Sequence, residues 1–248
     1  MNLKKLSVLW CCCFAPFCFS KSGYMVACID DYPPYQYLDS PPHGIHVTAL
    51  SNLAKVFNKK IQFIESPNFA RCVQLLKTGE IDVIAGLNKN SDREKFAFYA
   101  PYRIEEDHVV ISKKTSDISD YQSIKDKIIG VPRGTTYFKK FNDDTALNKV
   151  PIQSIRIGIE LIIRNRIDVI ITSKSVANLL IDDITSANLK ATLIKQNNNK
   201  EEVSYFGFSK LNKLNLLPPE IINRTTQAFK QGKFKDDVNA INSNIKDK

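Results

Sequence analysis

Residues 81–110, IDVIAGLNKNSDREKFAFYAPYRIEEDHVV, place an arginine just beyond a buried segment. Ile81–Leu87 predicts a strand, Asn88, Lys89, Asn90 and Ser91 a polar loop, and Arg93 follows it. A guanidinium held past a strand end can clamp a carboxylate through two parallel hydrogen bonds. Its competing role is a surface ion pair with Asp92 or Glu94. Position favours the clamp, because open α/β sheets receive ligands at the carboxyl ends of parallel strands. Gly134-Thr135-Thr136 is the second constellation. Glycine permits close backbone approach, free amides at a helix start attract an anion, and two hydroxyls add donors. A plainly capped helix accounts for the same tripeptide. Tyr32, Tyr35 and Phe69 could wall the apolar body of a small molecule or pack a core.

Residues for turnover are harder to find. His43 and His46 are near neighbours without a third residue at metal-ligand spacing, so both read as loop residues. His108 reads as an exposed residue before a strand. The pairs Asp30-Asp31, Glu105-Glu106, Asp143-Asp144 and Asp182-Asp183 are adjacent in sequence, so their carboxylates diverge. Neither a nucleophile elbow nor a phosphate-binding loop is present. These residues point to capture of a small molecule without catalysis, metal or cofactor.

The elements that must position them begin after a distinct leader. Lys4 and Lys5 precede an uncharged apolar run, Leu6–Phe19, closed by Ser20. Residues 1–20 therefore read as a secretory signal peptide whose apolar run is too short to span a bilayer comfortably, with an uncleaved N-terminal anchor as the alternative. Cys11, Cys12, Cys13 and Cys18 lie within it, leaving Cys28 and Cys72. Two buried free thiols are expected there, and one disulfide is the alternative in an oxidising compartment. The net charge is +9, or +7 without Lys4 and Lys5 (9 − 2). Its basic residues are scattered among acids, which suits anionic solutes better than nucleic acid.

Met25–Ile29, a helix over 48–60, Ile61–Ile64, a helix from Asn68 to Gly79 and Ile81–Leu87 alternate as strand, helix, strand, helix, strand. That order predicts a parallel sheet flanked by helices. The pattern restarts with Val109–Ser112, Ile128–Val131, a helix over Ser154–Asn165, Ile167–Thr172, a helix over Val176–Ile181 and Val203–Phe208. Pro218–Gln231 forms a last helix. Two α/β units result, the second inserted into the first.

Taken together, these segments resemble the bacterial extracellular solute-binding proteins of family 3, the amino-acid-type periplasmic receptors of ABC importers. The resemblance rests on Tyr32-Pro33-Pro34-Tyr35, Gly44-Ile45-His46-Val47, Gly79-Glu80-Ile81-Asp82-Val83-Ile84, Asp92-Arg93, Pro101-Tyr102, Gly130-Val131-Pro132-Arg133-Gly134-Thr135-Thr136, Arg166-Ile167-Asp168-Val169-Ile170 and Tyr205-Phe206-Gly207. It implies a type II periplasmic-binding-protein fold, two α/β lobes joined by two crossover strands near Ile111–Thr115 and Val203–Gly207. Lobe 1 then comprises 21–111 and 207–248, and lobe 2 comprises 112–206. The implied site uses Arg93 for a carboxylate, assisted by Thr136 and Thr135. Tyr32 and Phe69 sandwich the side chain, with Gly86 and Asn88 alongside.

Ser173 stands where the family has its amine-binding aspartate, and a serine cannot neutralise an ammonium. Asp30 or Asp31 could supply that charge instead. The resemblance thus implies a monomeric periplasmic protein that captures a small carboxylate-bearing ligand, an amino acid or related organic acid, for an ABC permease. Two alternatives share the scaffold. One is an enzyme resembling cyclohexadienyl dehydratases, with Glu105, Glu106 or Asp107 as the acid. The other is a sensing module for a membrane receptor.

Overall fold

The computed structural model describes residues 23–194 and 203–235, so the signal-peptide reading of residues 1–20 lies outside the described residues. Two five-stranded mixed sheets form the frame, each flanked by helices. The first is built from β1 (Tyr24–Asp30), β2 (Lys60–Ser66), β3 (Val83–Ala85), β4 (Ala97–Ile104) and β10 (Val203–Ser209), in the order β2-β1-β3-β10-β4. The second takes β5 (His108–Lys113), β6 (Ile128–Pro132), β7 (Asn148–Ile152), β8 (Val169–Ser173) and β9 (Leu189–Leu193), in the order β7-β6-β8-β5-β9. Sheet membership therefore changes across residues 105–107 and again between β9 and β10. β5, including Ile111, pairs wholly within the second sheet.

In both sheets three neighbouring strands are parallel, β2-β1-β3 and β7-β6-β8, and an aspartate that follows a helix, buried at Asp82 and exposed at Asp168, comes just before the last of them. Asp82 accepts from the amide of Val26 at 2.8 Å. In the second sheet Asp168 accepts from the amide of Ile128 at 2.7 Å. Each carboxylate thus pins the head of a neighbouring strand by a charge-assisted bond.

The helices start and stop on local chemistry. α1 (Ile45–Val56) follows Gly44, whose φ of 118° puts any Cβ 2.6 Å from the Tyr35 carbonyl oxygen. α2 (Phe69–Thr78) opens on Asn68, which accepts from the Arg71 amide at 3.0 Å, and closes on left-handed Gly79. These are ordinary N-cap and C-cap devices. α3 (Lys139–Asp143) is short, whereas α4 (Ile155–Ile163) starts on Ser154, which accepts from the Ile157 amide. α5 (Lys174–Leu179) and α6 (Ile181–Ser186) lead to β9, and α7 (Pro218–Lys230) returns to pack on β4 and α1.

Four differences from the sequence reading have physical reasons. β3 covers only Val83–Ala85, because the left-handed Gly86 ends it. β4 and β7 carry Pro101 and Pro151, which hid them, yet both are edge strands where a missing amide is tolerated. His46 lies inside α1 and is buried, not in a loop, and His108 opens β5 and is also buried. Cys28 and Cys72 form a disulfide instead of two free thiols, because β1 and α2 bring their Cα atoms to 5.5 Å.

The cores are continuous with the cleft. Met25, Ile29, Leu50, Leu53, Phe206, Phe208 and Ile221 pack on one face of the first sheet. The cystine lies on the other face with Leu75, Leu76, Ile84 and Leu87. In the second lobe Ile155, Ile159, Ile162 and Ile170 pack with Val176 and Leu180, and Tyr35 and Ile45 of the first lobe enter that same cluster. The two lobes consequently share apolar contact beside the cleft.

Candidate functional site

A cavity of about 160 Å³ lies between the two sheets. A single water needs about 10–15 Å³, so the space fits a small organic molecule. The first lobe lines it with Asp30, Asp31, Tyr32, Gln36, His46, Phe69 and Gly86. The second lobe answers with Arg133, Thr135, Thr136, Ile155, Arg156 and the α5 face carrying Val176 and Leu179. The parallel register brings the ends of β1 and β3 to one side, and the end of β6 faces them from the other lobe.

Asp30 ends β1 and is only 8% exposed. Gln36 Nε2 donates to its Oδ1 at 3.1 Å. Burial pushes its pKa up to about 6, against the lowering effect of Gln36. The carboxylate is thus a costly charge held at the cavity wall, where a cation would offset its desolvation. Phe69 sits at the start of α2, placed by the Asn68 cap, and Tyr32 stands in the loop after β1. The Cys28–Cys72 link lies two residues before Asp30 and three after Phe69, so it ties these two wall positions together.

The sequence places His46 in a loop, yet it belongs to this wall. Its ring packs 4.6 Å from Tyr35 and edge-on to Tyr102. Burial pushes its pKa down to about 3, with Arg103 adding to the effect, so the imidazole is neutral at physiological pH. Gly86 passes against it, and a Cβ there would fall 2.8 Å from His46 Cε1. Gln36, Ile155 and Leu179 were likewise missed. The amphipathic stripe of α4 signalled core, and nothing in sequence says that Ile155 is the point where core meets cleft.

Arg93 begins a short 3-10 turn before β4 and is 7% exposed. Its Nη2 donates to the Gly134 carbonyl at 2.6 Å, and its Nη1 to Thr136 Oγ1 at 3.1 Å and the Asn88 carbonyl at 3.0 Å. Asn88 Nδ2 also donates to the Thr136 carbonyl at 2.5 Å. Arg93 therefore meets the Gly134-Thr136 turn directly across the lobe boundary. The turn approaches closely because Gly134 (φ 79°) lies over α2, where a Cβ would come 2.8 Å from Ala70 Cα. Asp30, Tyr32, Phe69, Gly86, Thr135 and Thr136 border the cavity; Arg93 and Asn88 reach it through Thr136.

Ser173, the last residue of β8, is buried behind the wall. Its hydroxyl caps α5 by accepting from the Val176 amide and lies 2.9 Å from the Tyr35 hydroxyl. Glu105, Glu106 and Asp107 lie in the chain joining β4 to β5 and do not border the cavity. Among the described residues, no cluster of His, Cys, Asp or Glu could hold a metal ion.

Comparison with known proteins agrees with this architecture. The chain is 27% identical over 112 residues to the arginine-binding extracellular protein ArtP of Bacillus subtilis (strain 168), a match that spans 44% of each chain, so this protein covers less than half the length of that relative. An ancestral arginine-binding protein bound to arginine superimposes with a TM-score of 0.69 and 20% identity, over 91% of this chain and 99% of its own. A histidine kinase sensor domain with similarity to periplasmic binding proteins gives 0.70 and 16%, over 90% and 96%. Both structural likenesses concern the fold, here the type II arrangement of two α/β lobes. The family model of bacterial extracellular solute-binding proteins, family 3, matches residues 24–248, and the chain belongs to that family.

Proposed function

We propose that this protein is an exported solute receptor that closes its lobes on one small ligand bearing both a carboxylate and a cation, an arginine-like amino acid, and passes it to an ABC permease. The observation that carries the reading is the pair of buried, oppositely charged groups at the cleft. Asp30 lies on the cavity wall with Gln36 as its partner. Arg93 is buried against three neutral acceptors, and no carboxylate forms an ion pair with it among the described residues. A buried charge without a counter-charge is costly, so each favours a ligand group of opposite sign. Tyr32 and Phe69 offer the aliphatic part of such a ligand two aromatic faces.

For Arg93 to take the carboxylate, its bonds to Gly134 and Thr136 exchange for bonds to the ligand as the lobes part and reclose. The Thr136 hydroxyl then completes the seat. The names of the arginine-binding relatives support the cationic end, and the leader-like residues 1–20 support export to the periplasm. The linker acids favour binding over dehydration. Glu106 is committed to the Ser175 amide at 2.7 Å, and Glu105 to the Ser204 hydroxyl. Incubation with prephenate or arogenate should yield no aromatic product.

Thermal shift with L-arginine, agmatine and succinate tests the reading. A ligand present at 100 times its Kd stabilises the fold by about 2.7 kcal/mol. L-Arginine should raise the melting temperature, whereas agmatine, which lacks the carboxylate, and succinate, which lacks the cation, should do so far less. Equal shifts with all three would overturn the two-charge reading. The likeness to a kinase sensor domain favours a second destination for the same closure, a membrane receptor. Pull-down of the ligand-loaded protein with detergent-solubilised inner membrane separates permease from receptor.

A further inference from the structure

We propose that Tyr35 is a positioning residue, a latch that holds the two lobes together through Glu106 and carries their closure into the cavity wall. The residue sits in the first-lobe loop between β1 and α1, yet packs within the apolar cluster of the second lobe. Its hydroxyl hydrogen-bonds Glu106, in the segment that crosses between the sheets, and lies 2.9 Å from Ser173 Oγ at the end of β8. A phenol has one proton. Directed to the carboxylate, it leaves the Ser173 hydroxyl free to donate to the phenol oxygen.

Glu106 is the centre of this arrangement. Its Oε2 accepts from the Ser175 amide at the start of α5, and its Oε1 takes Arg103 Nη2 at 3.3 Å together with the Tyr35 hydroxyl. Its donors thus come from the first-lobe loop, from the end of β4 and from the second-lobe helix α5. The Arg103 guanidinium also lies 5.2 Å over the Tyr35 ring. A carboxylate that gathers donors from both lobes is satisfied only while the lobes keep this orientation. Partial burial raises its cost otherwise, since burial pushes its pKa up against the lowering by Ser175.

The ring of Tyr35 transmits this state to the site. Tyr32 stacks on it at 5.2 Å and His46 packs against it, tilted, at 4.6 Å, and both border the cavity. A rotation between lobes that broke the bond to Glu106 would therefore shift two wall residues together. The bond is independent of any solute, so it acts on the closure equilibrium itself.

Small-angle scattering on the purified protein without added solute tests the latch, comparing wild type with Tyr35→Phe, and circular dichroism melting checks the fold. Phenylalanine keeps the ring packing and removes the hydroxyl. Loss of a hydrogen bond to a charged group should raise the ratio of open to closed lobes at least about tenfold, seen as a larger radius of gyration. A folded Y35F with the wild-type profile, or a wild-type profile that already fits separated lobes, overturns the proposal. Should Y35F fail to fold, Glu106→Gln decides: an expanded profile supports the latch, and an unchanged one overturns it. No solute enters these measurements, so their failure is distinct from failure of the receptor reading.

Discussion

The two walls of the cavity are made of different material. The first lobe presents a buried carboxylate, a neutral imidazole, an amide and two aromatic rings, braced by the Cys28–Cys72 link. The second lobe presents Ile155, Val176, Leu179 and Leu180, two threonines, and exposed Arg133 and Arg156, the latter paired with Asp183. Braced, buried polar groups are pre-positioned, so little ordering entropy remains to be lost when they meet a ligand. Aliphatic side chains add non-directional burial instead. Under the proposed receptor reading, the first wall would select and the aliphatic part of the second would cover. Substitutions should therefore be severe and ligand-specific on the first wall, and mild and general on the second.

The largest test removes the brace. The disulfide closes a chain separation of 44 residues, for which loop entropy alone predicts about 4 kcal/mol of stability. Cys28→Ser with Cys72→Ser should lose most of that in urea denaturation and should weaken ligand affinity as Asp30 and Phe69 drift apart. Unchanged affinity in the folded double variant would break the idea of a rigid selecting wall.

Asp30 comes next. Asp30→Asn keeps an acceptor for Gln36 while removing the charge, and should cost about 3 kcal/mol of L-arginine affinity by calorimetry, within the range for unpairing a buried charge. The same change should stabilise the fold at pH 7. In the native chain a carboxyl with an ordinary value of 3.8 is raised to about 6. Between those values the folded form holds a proton that the unfolded form has lost, so stability falls as pH rises through the window, by up to about 3 kcal/mol. Binding runs the other way. A cation prefers the ionised carboxylate, so affinity should rise with pH through about 6, with proton release below it. His46 is neutral down to about 3 and adds nothing in this range. A flat affinity profile would remove Asp30 from the ligand contact.

Arg93→Ala tests the rim where the walls meet. It should cost more than about 1.5 kcal/mol of affinity, the low end for hydrogen bonds to a charged group. Undiminished affinity would confine Arg93 to bonding the Gly134 turn. Leu179→Ala is the smallest expected change, about 1 kcal/mol and similar for every ligand tested, as fits a covering surface. A ligand-dependent effect there would blur the division between walls.

Much of the frame was legible because it follows local rules. The strand-helix alternation, the Asn68 and Gly79 caps and the stripe of α4 depend on neighbours within a few residues. β4 and β7 were hidden by their prolines, since edge position is a property of the whole sheet. Of the site, residues at strand ends were visible by type and place, whereas His46 was not. Its role comes from the packing of Tyr35, Tyr102 and Gly86 around it, which bring together three separate stretches of chain.

By itself the chain's order of residues determined two α/β units and the family they resemble, and it marked Arg93 and the glycine-threonine turn as separate candidates whose meeting only the tertiary structure decided. Periodicity and caps are local, and short motifs survive as text. Only the tertiary structure decided that Cys28 meets Cys72, that Asp30 lies at a cavity wall and that Tyr35 reaches Glu106. Those facts depend on distances between residues remote in sequence, and on burial, which raises the Asp30 pKa and silences His46. Neither distance nor dielectric is written in any single segment; both arise when the lobes pack.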